Sequence, residues 1–443
     1  MTSISDQIAG QGRQERQRFI VETLESAYGD LMTADPDAWR GKYRKMSATP
    51  FAFYRGSAAL YYADVSRDED PFLNEKTSRI WIQGDLHAEN FGTYMNSEGV
   101  LVFDVNDFDE AYVAPFTWDI KRLVASLALV GFQKALSDDD IGQMIETVAR
   151  TYMAQVARFA HKEHADSFAL TLANTQGKLL DFLHETRLCT RPELLNEFTT
   201  IENYDRRFTI NDKMRKVDDE TKQKVEAAFT DYLKTIPDSK RFSRISYNIK
   251  DVATLRGAGI GSAGLPSYNV LVEGPTQALE NDIIIYMKQA QVASPSRVVD
   301  DPAAKAYFLH DGHRTVLSQR ALQAYSDRWL GYTTLNDLGQ LVAEASPYTS
   351  DLDWTDINDR ESILELLGYL GQAVAKIHCV SDNDSDLTLV PFSVDEALHE
   401  VLLGHENSFA DEMLAFGHHY GAVVRKDYEL FVDAFRNHQI GGL

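Results

Sequence analysis

The stretch IQGDLHAEN (residues 82–90) joins a short apolar run to a cluster of polar side chains. The run IWI (residues 80–82) is typical of a buried β-strand, and Asp85 follows it almost at once, with His87 two residues later and Asn90 five residues later. In phosphoryl transfer a carboxylate orients the attacking hydroxyl, and an amide oxygen five residues further on binds Mg²⁺. The spacing therefore predicts Asp85 as general base, His87 as a second catalytic residue and Asn90 as a metal ligand. A polar turn that only closes the strand is the competing interpretation, and it needs no asparagine at a fixed offset.

A second apolar run opens into the acidic segment FDVNDFDEA (residues 103–111). Mg²⁺ prefers oxygen ligands and is held by one or two carboxylates together with phosphate oxygens and water, and Asp107 is the predicted carboxylate ligand. Because alternate residues of an extended segment point to opposite sides, we expect Asp107 and Asp109 to share one side while Phe108 packs inward. For Asp104 the alternative is a structural role in the turn. For the whole segment the competing interpretation is a solvated acidic loop.

The composition of the chain limits its partners. Its 443 residues include 44 Lys and Arg against 67 Asp and Glu, which gives a formal net charge of −23. Such a surface repels phosphate backbones and anionic membranes, so the sequence predicts neither nucleic acid nor a membrane as a partner. The longest apolar stretch, residues 123–132, is about half of what a bilayer span requires. The two cysteines exclude a disulfide scaffold and a thiolate metal cluster, and we expect a cytoplasmic protein.

Hydrophobic periodicity predicts helices in three regions. Apolar residues at helical spacing indicate a first helix that ends near Asp35 and Pro36. Residues 118–233 combine periodic Leu, Val, Ala and Phe with abundant Lys, Glu and Gln, which predicts mostly helix. A later helix carries apolar side chains on one face at Leu367, Leu370, Val374 and Ile377.

Together the two polar segments resemble the catalytic and magnesium loops of the protein-kinase-like superfamily, in particular its aminoglycoside and choline phosphotransferase branch. That branch carries Gly-Asp-x-His-x-x-Asn after one strand and Asp-Phe or Asp-Trp after the next. Pro115 and Asp119 are similar to the proline and aspartate that begin its following helix, and the resemblance implies that Asp119 braces the backbone of the catalytic loop. More closely, the motifs PFAFYRG, GDLHAENFG, VNDFDEA and PFTWDIKRL resemble the bacterial domain-of-unknown-function family 2252 over about residues 50–378. That family implies no particular reaction.

A glycine loop and a hairpin lie much later in the chain. The loop has G-x-G-x-x-G spacing, and its candidate phosphate-binding residues are Gly259, Gly261, Ser262 and Gly264. In a Rossmann dinucleotide site the same letters open a helix, whereas here the β-rich run YNVLV (residues 268–272) follows. The resemblance therefore implies a kinase-like loop that covers nucleotide phosphates, followed by a hairpin. Lys288 ends that hairpin and is predicted to bind the α- and β-phosphates of ATP.

The order of these segments differs from that of an ordinary kinase. The lysine hairpin should precede the catalytic loop, whereas Lys288 comes about two hundred residues after Asp85. The segment GYLGQAVAKIHCVSD (residues 368–382) resembles the helix that normally leads into the catalytic strand. We therefore expect an α+β, protein-kinase-like two-lobe fold that is circularly permuted, with a mostly helical large lobe and a small β-rich lobe. The predicted parts are the lobe with the catalytic and magnesium loops, the small nucleotide-binding lobe and a helical segment that rejoins the large lobe, at residues 1–244, 245–340 and 341–443.

The resemblance implies an ATP- and Mg²⁺-dependent phosphotransferase that acts on an unidentified small molecule or protein. Transfer of AMP from an inverted nucleotide is a variant that the same residues allow. A kinase lysine normally pairs with a glutamate of the next helix, but the helical run of residues 313–325 offers Gln319. A nucleotide-binding pseudokinase that regulates a partner is therefore the alternative. A two-metal phosphohydrolase is disfavoured because no further histidine-bearing strand ends follow.

Arg55, in the segment PFAFYRG (residues 50–56), is a further candidate for a functional role. A guanidinium group suits bidentate recognition of a phosphate or a carboxylate. The structural interpretation is a salt bridge to an acid such as Asp64.

Overall fold

The fold is described by a computed structural model, which covers residues 4–161, 165–255, 267–323, 325–381 and 387–443. Within these ranges the chain is a mixed α+β protein with an open sheet, which confirms the predicted α+β class. No helix in the described ranges is long and apolar enough to cross a membrane.

Helices form most of the described chain. Their bounds in chain order are α1 (Ile4–Ala9), α2 (Arg13–Ala34), α3 (Pro36–Met46), α4 (Pro50–Gly56), α5 (Ala58–Val65), α6 (Phe116–Gln133), α7 (Asp138–His161), α8 (Gly177–Arg187), α9 (Arg191–Phe198), α10 (Asp219–Tyr232), α11 (Pro302–Tyr307), α12 (Asp311–Leu322), α13 (Arg360–Cys379), α14 (Val394–Leu402) and α15 (Glu406–Arg436). The early helix ends where the sequence predicts, because Asp35 follows α2 and its side chain accepts the N–H of Ala38 at the start of α3. Pro36 begins α3 at a position where the missing N–H would have no helical partner.

The strands of the described residues form four sheets. Their bounds are β1 (Ile80–Ile82), β2 (Phe91–Met95), β3 (Leu101–Val105), β4 (Tyr112–Ala114), β5 (Thr199–Glu202), β6 (Asp205–Phe208), β7 (Met214–Lys216), β8 (Ile249–Leu255), β9 (Ser267–Val272), β10 (Ile283–Gln289), β11 (Gly331–Leu335), β12 (Leu338–Glu344) and β13 (Ser350–Asp351). In the largest sheet the strand order is β11-β12-β10-β9-β8-β7. Strand β1 pairs with β4, β2 lies between β13 and β3, and β5 pairs with β6.

The predicted hairpin is confirmed as the antiparallel pair β9 and β10 in the middle of the largest sheet. Because side chains alternate along a strand, Ile285 and Met287 pack in the cluster that includes Phe229 of α10. Tyr286 and Lys288 lie on the opposite face, where they line a cavity. The alternation therefore places the predicted phosphate-binding lysine on the open face of the sheet.

The largest hydrophobic core joins the helices of the two ends of the described chain, and smaller clusters cover the six-stranded sheet. That sheet takes β7 from before residue 245 and ends with β12 at residue 344. Its strands therefore extend beyond residues 245–340 on both sides, while the division of the chain into three parts stays a prediction. Within residues 118–233, predicted to be mostly helix, the strands β5, β6 and β7 interrupt the helices.

Candidate active site

The turn after β1 is fixed by the buried carboxylate of Asp119, which lies near the start of α6. Its two oxygens accept hydrogen bonds from the backbone N–H groups of Gln83 (2.6 Å) and Gly84 (2.9 Å). Gly84 has a φ of +82°, and a side chain there would collide with the carbonyl oxygen of Glu110. Because both hydrogen bonds hold the backbone immediately before Asp85, the predicted bracing role of Asp119 is confirmed.

We expect Asp119→Ala to lower the free energy of unfolding by roughly 2–5 kcal/mol, because two buried N–H groups would lose their acceptor. His378 of α13 would lose a contact too, since its Nε2 lies 3.4 Å from Oδ2 of Asp119. Urea unfolding measures the change. The control is Asp218→Ala, which removes the exposed carboxylate that caps α10 through the N–H of Thr221, and it should cost less. Equal losses in the two variants would contradict the bracing role.

The acidic loop after β3 is tied to the first loop by Gln83. The Oε1 of Gln83 accepts the N–H of Asp85 (2.7 Å), and its Nε2 donates to the carbonyl oxygen of Asp107. Asp107 has a φ of +53°, a left-handed conformation that aspartate tolerates better than most residues. Phe108 is buried and also borders the large cavity, and Asp107 and Asp109 line both adjoining cavities. The burial of Phe108 is as predicted, whereas the shared side of Asp107 and Asp109 stays a prediction, because Asp107 is not in an extended conformation.

Asp85 lies against a buried arginine that the motifs did not identify. Arg122 of α6 donates from Nε (2.7 Å) and from a terminal nitrogen to Oδ1 of Asp85. Burial raises the pKa of Asp85 to about 7, although Arg122 opposes this rise, and the charges of Glu110 and Asp107 add to it. Its Oδ2 forms no hydrogen bond with the described residues. One oxygen of the carboxylate is thus held by Arg122, while the other can accept a proton from a ligand.

His87 is buried beneath this loop. Its Nδ1 accepts the N–H of Glu89 (3.2 Å), and its Nε2 lies 3.9 Å from Oδ2 of Asp85. Burial lowers the pKa of His87 well below its ordinary value, and the charges of Arg55 and Arg122 lower it further. The imidazole is therefore neutral and contacts the backbone that follows Asp85, and its predicted catalytic role stays a prediction.

The two predicted metal ligands carry oxygens that can accept a cation. Asn90 donates its Nδ2 hydrogen to the carbonyl oxygen of Asp85 (2.9 Å), and its Oδ1 has no hydrogen bond within the described ranges. Asp107 accepts one long hydrogen bond from the N–H of Asp109 (3.4 Å). Burial and the charge of Asp109 raise the pKa of Asp107 to about 6, while Lys288 opposes this rise. A cation beside Asp107 would relieve that repulsion.

The described part of the chain holds no group of three or more His, Cys, Asp and Glu side chains that could bind a metal ion. Mg²⁺ needs a smaller protein set, because it retains water molecules and shares the phosphate oxygens of a substrate. One carboxylate with one amide oxygen fits that requirement. Asp107 lines both cavities and Asn90 lines neither, so a magnesium site formed by these two residues stays a prediction.

Lys288 meets the acidic loop although 179 residues separate it from Asp109. Its Nζ forms an ion pair with Oδ2 of Asp109. Burial acts to lower the pKa of Lys288, but the charges of Asp109 and Asp107 outweigh it and raise the pKa overall. These side chains line a cavity of about 700 Å³, together with Gln319 of α12. The predicted glycine-loop residues lie outside the described residues: Gly259, Gly261, Ser262 and Gly264.

Arg314 of α12 fixes the acidic loop to the chain that follows Lys288. Its guanidinium donates to the carbonyl oxygens of Asp109 (2.8 Å), Ala111 (2.7 Å) and Gln291 (2.7 Å). The carbonyl groups of two distant segments therefore share one buried cation. The motifs gave no signal for Arg314, because its partners are backbone atoms.

A second cavity, of about 40 Å³, adjoins the large one. Asp107 and Asp109 line both cavities. Asp85 lines only the small cavity, and Lys288 lines only the large one. The small cavity is also lined by Lys42 of α3, which the sequence analysis did not single out.

Two charged residues left open by the sequence have structural partners. Arg55 forms an ion pair with Glu89 rather than with Asp64, which pairs with Arg16 (2.6 Å). Asp104, buried on β3, forms an ion pair with Lys376 of α13. Asp104 is therefore a structural residue.

These elements define a mixed α+β protein in which two braced polar loops meet a lysine from the central sheet. The chain belongs to the family described as "Uncharacterized protein conserved in bacteria (DUF2252)", whose family model matches residues 34–434. The resemblance of its motifs to family 2252 is thereby confirmed. No curated protein and no solved structure is significantly similar to the chain.

Proposed function

We propose that this protein is an ATP- and Mg²⁺-dependent phosphotransferase of the kinase-like type. The observation that carries the proposal is the ion pair between Lys288 and Asp109, because it brings the lysine of one segment beside the acidic loop of another. Phosphoryl transfer requires a cation on the phosphates, a metal-binding carboxylate and a group that orients the nucleophile. Lys288, Asp107 and Asp85 lie in two adjoining cavities and have these three chemistries.

In this proposal the large cavity receives the nucleotide. Lys288 binds its phosphates, and Asp107 and Asn90 hold the metal ion. When bound, Mg²⁺ bridges phosphate oxygens and neutralises the charge that develops on them. Asp85 orients the hydroxyl of the acceptor and takes its proton with the oxygen that Arg122 leaves open.

The packing of α13 supports the proposed circular permutation. This helix contacts β1 and β3 although it lies far from both in sequence. His378, close to its end, reaches Asp119, the residue that braces the loop after β1. The helix that resembles the one leading into a kinase catalytic strand thus lies beside the strand of the Asp85 loop. A chain with new termini between these two elements would have this arrangement.

Gln319 favours a second candidate function, a nucleotide-binding pseudokinase that regulates a partner. It lines the same cavity as Lys288, and its Nε2 donates to Oε1 of Gln323 (3.1 Å). An amide cannot supply the carboxylate that normally pairs with the kinase lysine. Asp109 pairs with Lys288 here, which supports the active alternative. Transfer of AMP instead of a phosphoryl group is distinguished by comparing α-labelled with γ-labelled ATP.

The test of the proposed function is nucleotide binding by the wild type and by Lys288→Met. We expect ATP with Mg²⁺ to raise the Tm of the wild type, because a ligand selective for the native state stabilises it by mass action. Loss of the Lys288 charge should raise the Kd for ATP about tenfold or more, because a charge-assisted hydrogen bond to phosphate is lost. Calorimetric titration measures both Kd values.

Lys250→Met is the matched control for that titration. Lys250 lies on β8 of the same sheet, forms an ion pair with Asp282 (2.7 Å) and does not line the large cavity. Its replacement should leave the Kd for ATP unchanged. Equal weakening in both variants would make the role of Lys288 structural, and absence of ATP binding by the wild type would overturn the proposed function.

A further inference from the structure

A buried lysine that forms no hydrogen bond or ion pair with the described residues lines the small cavity beside Asp85. Lys42 lies on the inner face of α3, one turn after Trp39, and is only 5% exposed. Its Nζ lies 4.4 Å from the ring centroid of Trp39 and 4.9 Å from that of Tyr28. With the residues that the structure describes, this nitrogen forms no hydrogen bond and no ion pair. The two aromatic rings exclude water from Lys42 but do not neutralise its charge.

Three of the four acids that line the small cavity have other partners, and the fourth, Asp107, is the proposed metal ligand. Asp85 is held by Arg122, and Asp109 is held by Lys288. Glu110 accepts the backbone N–H of Ser294. A buried charge without a hydrogen bond or ion pair is costly, so the ammonium group of Lys42 is suited to an anion that arrives from outside the chain.

The arrangement of the two cavities indicates which ligand brings that anion. In phosphoryl transfer the attacking and leaving oxygens lie roughly in line on opposite sides of the transferred group. With the nucleotide beside Lys288 in the large cavity, the acceptor must approach from the side of Asp85. The small cavity lies on that side, shares Asp107 and Asp109 with the large one, and has room only for a small polar group.

We propose that Lys42 binds an oxyanion of the acceptor, so that the acceptor is a hydroxyl compound with a carboxylate or phosphate group close to the reacting hydroxyl. Arg55 of α4 lines the same cavity, where it forms an ion pair with Glu89. In the transfer, the acceptor oxygen bonds to the γ-phosphorus, the bond to the bridging oxygen of ADP breaks, and the hydroxyl proton passes to Asp85. This inference rests on the proposed function and names the substrate class of its site.

The test compares three two-carbon alcohols of similar size but different charge: glycolate, ethylene glycol and ethanolamine. Each is titrated at constant ionic strength into the full chain saturated with Mg²⁺ and the non-hydrolysable ATP analogue AMPPNP, so that the nucleotide phosphates are already in place. We expect glycolate to raise the Tm, and the neutral and cationic alcohols to leave it unchanged. Glycerol 3-phosphate, tested in parallel against glycerol, distinguishes a phosphate from a carboxylate.

Variants of α3 then assign the preference to Lys42. Lys42→Met should raise the half-saturating concentration of glycolate about tenfold or more, because the charged hydrogen bond to the anion is lost. Lys42→Arg should retain the preference for the anion. Lys45→Met is the matched control, because Lys45 lies on the same helix but is exposed, and it should bind glycolate like the wild type.

The outcomes separate this inference from the function on which it rests. AMPPNP binding with no preference among the three alcohols would overturn the inference and leave the proposed function standing, and this wild-type comparison does not depend on any variant folding. Unchanged glycolate binding by Lys42→Met would also overturn it. If Lys42→Met weakens AMPPNP as strongly as Lys288→Met weakens ATP, Lys42 is a nucleotide-binding residue and the inference fails. Absence of AMPPNP binding by the wild type would instead count against the proposed function.

Discussion

Asp85→Asn is expected to lower turnover by roughly 10²- to 10⁴-fold while the Kd for ATP stays within about twofold of the wild-type value. The reason is that Asp85 lines only the small cavity, where it acts on the proton of the acceptor, and does not line the cavity proposed for the nucleotide. The substitution therefore removes stabilisation of the transition state and leaves ground-state binding of ATP intact. The measurement is transfer of label from γ-labelled ATP to water, to the protein or to a bacterial small-molecule extract, together with the Kd for ATP.

This substitution also removes the charge partner of a buried arginine, so its control must do the same elsewhere. Asp427→Asn removes one of the two carboxylates that pair with the buried Arg16 (2.6 Å), the other being Asp64, and Asp427 lines neither cavity. It should lower the Tm without slowing turnover. Full turnover by Asp85→Asn would exclude Asp85 as the base. A wild type that binds ATP but transfers no label would favour the pseudokinase, with Gln319 beside the lysine as its physical explanation.

The parts of the site that could be predicted from the sequence follow from local patterns. Short apolar runs correctly predicted β1 and β3. The N–H and C=O groups of a buried backbone need hydrogen-bond partners, and pairing with another strand provides them. The polar residues that directly follow each strand in sequence must therefore lie at the end of that strand. The resemblance of the motifs to kinase-like loops predicted that Asp119 braces the loop after β1 and that Lys288 lies near the acidic loop. Both contacts join segments that are distant in sequence.

The buried cations of the site could not be predicted in the same way. Lysine and arginine are ordinarily exposed, so the sequence pattern predicts that Lys42 and Arg122 lie on the solvent-facing sides of amphipathic helices. Whether such a side chain is buried depends on a tertiary partner: the carboxylate of Asp85 for Arg122, and the ring of Tyr28 on α2 for Lys42. Periodicity within one helix contains no information about those partners.

The strands of residues 199–216 were missed for a related reason. Their sequences, TTIE, DRRF and MRK, lack the regular alternation of apolar and polar side chains that marks a half-buried strand. Strand β7 pairs with β8, β5 pairs with β6, and the burial of Phe208 and Met214 against the sheet stabilises them. The pairing with β8 and this burial are made across the fold, so a local pattern could not predict them.

Asp107→Asn is expected to abolish most of the Mg²⁺-dependent gain in ATP affinity, a loss of about tenfold or more. Asp107 lines both cavities, as Asp109 does, and the charge of Asp109 raises its pKa; a metal ion bound with the phosphates would relieve that repulsion. For the same reason the substitution removes a disfavoured charge and should not lower the Tm in the absence of Mg²⁺. Titrations of ATP with Mg²⁺ and with EDTA, for both proteins, measure the difference.

The matched control is Asp351→Asn, which neutralises an exposed carboxylate at the edge of the same loop. Asp351 accepts a hydrogen bond from Nδ2 of Asn106 (2.7 Å) but lines neither cavity, so its loss should leave the Mg²⁺ effect intact. An undiminished Mg²⁺ effect in Asp107→Asn would remove Asp107 as a ligand. Asp109, on the same side of the segment, would then be the carboxylate to test, and its ion pair with Lys288 would have to open for the metal ion to bind. A metal ion that competes with Lys288 in this way would be incompatible with the simultaneous roles that the proposed function assigns to the two groups.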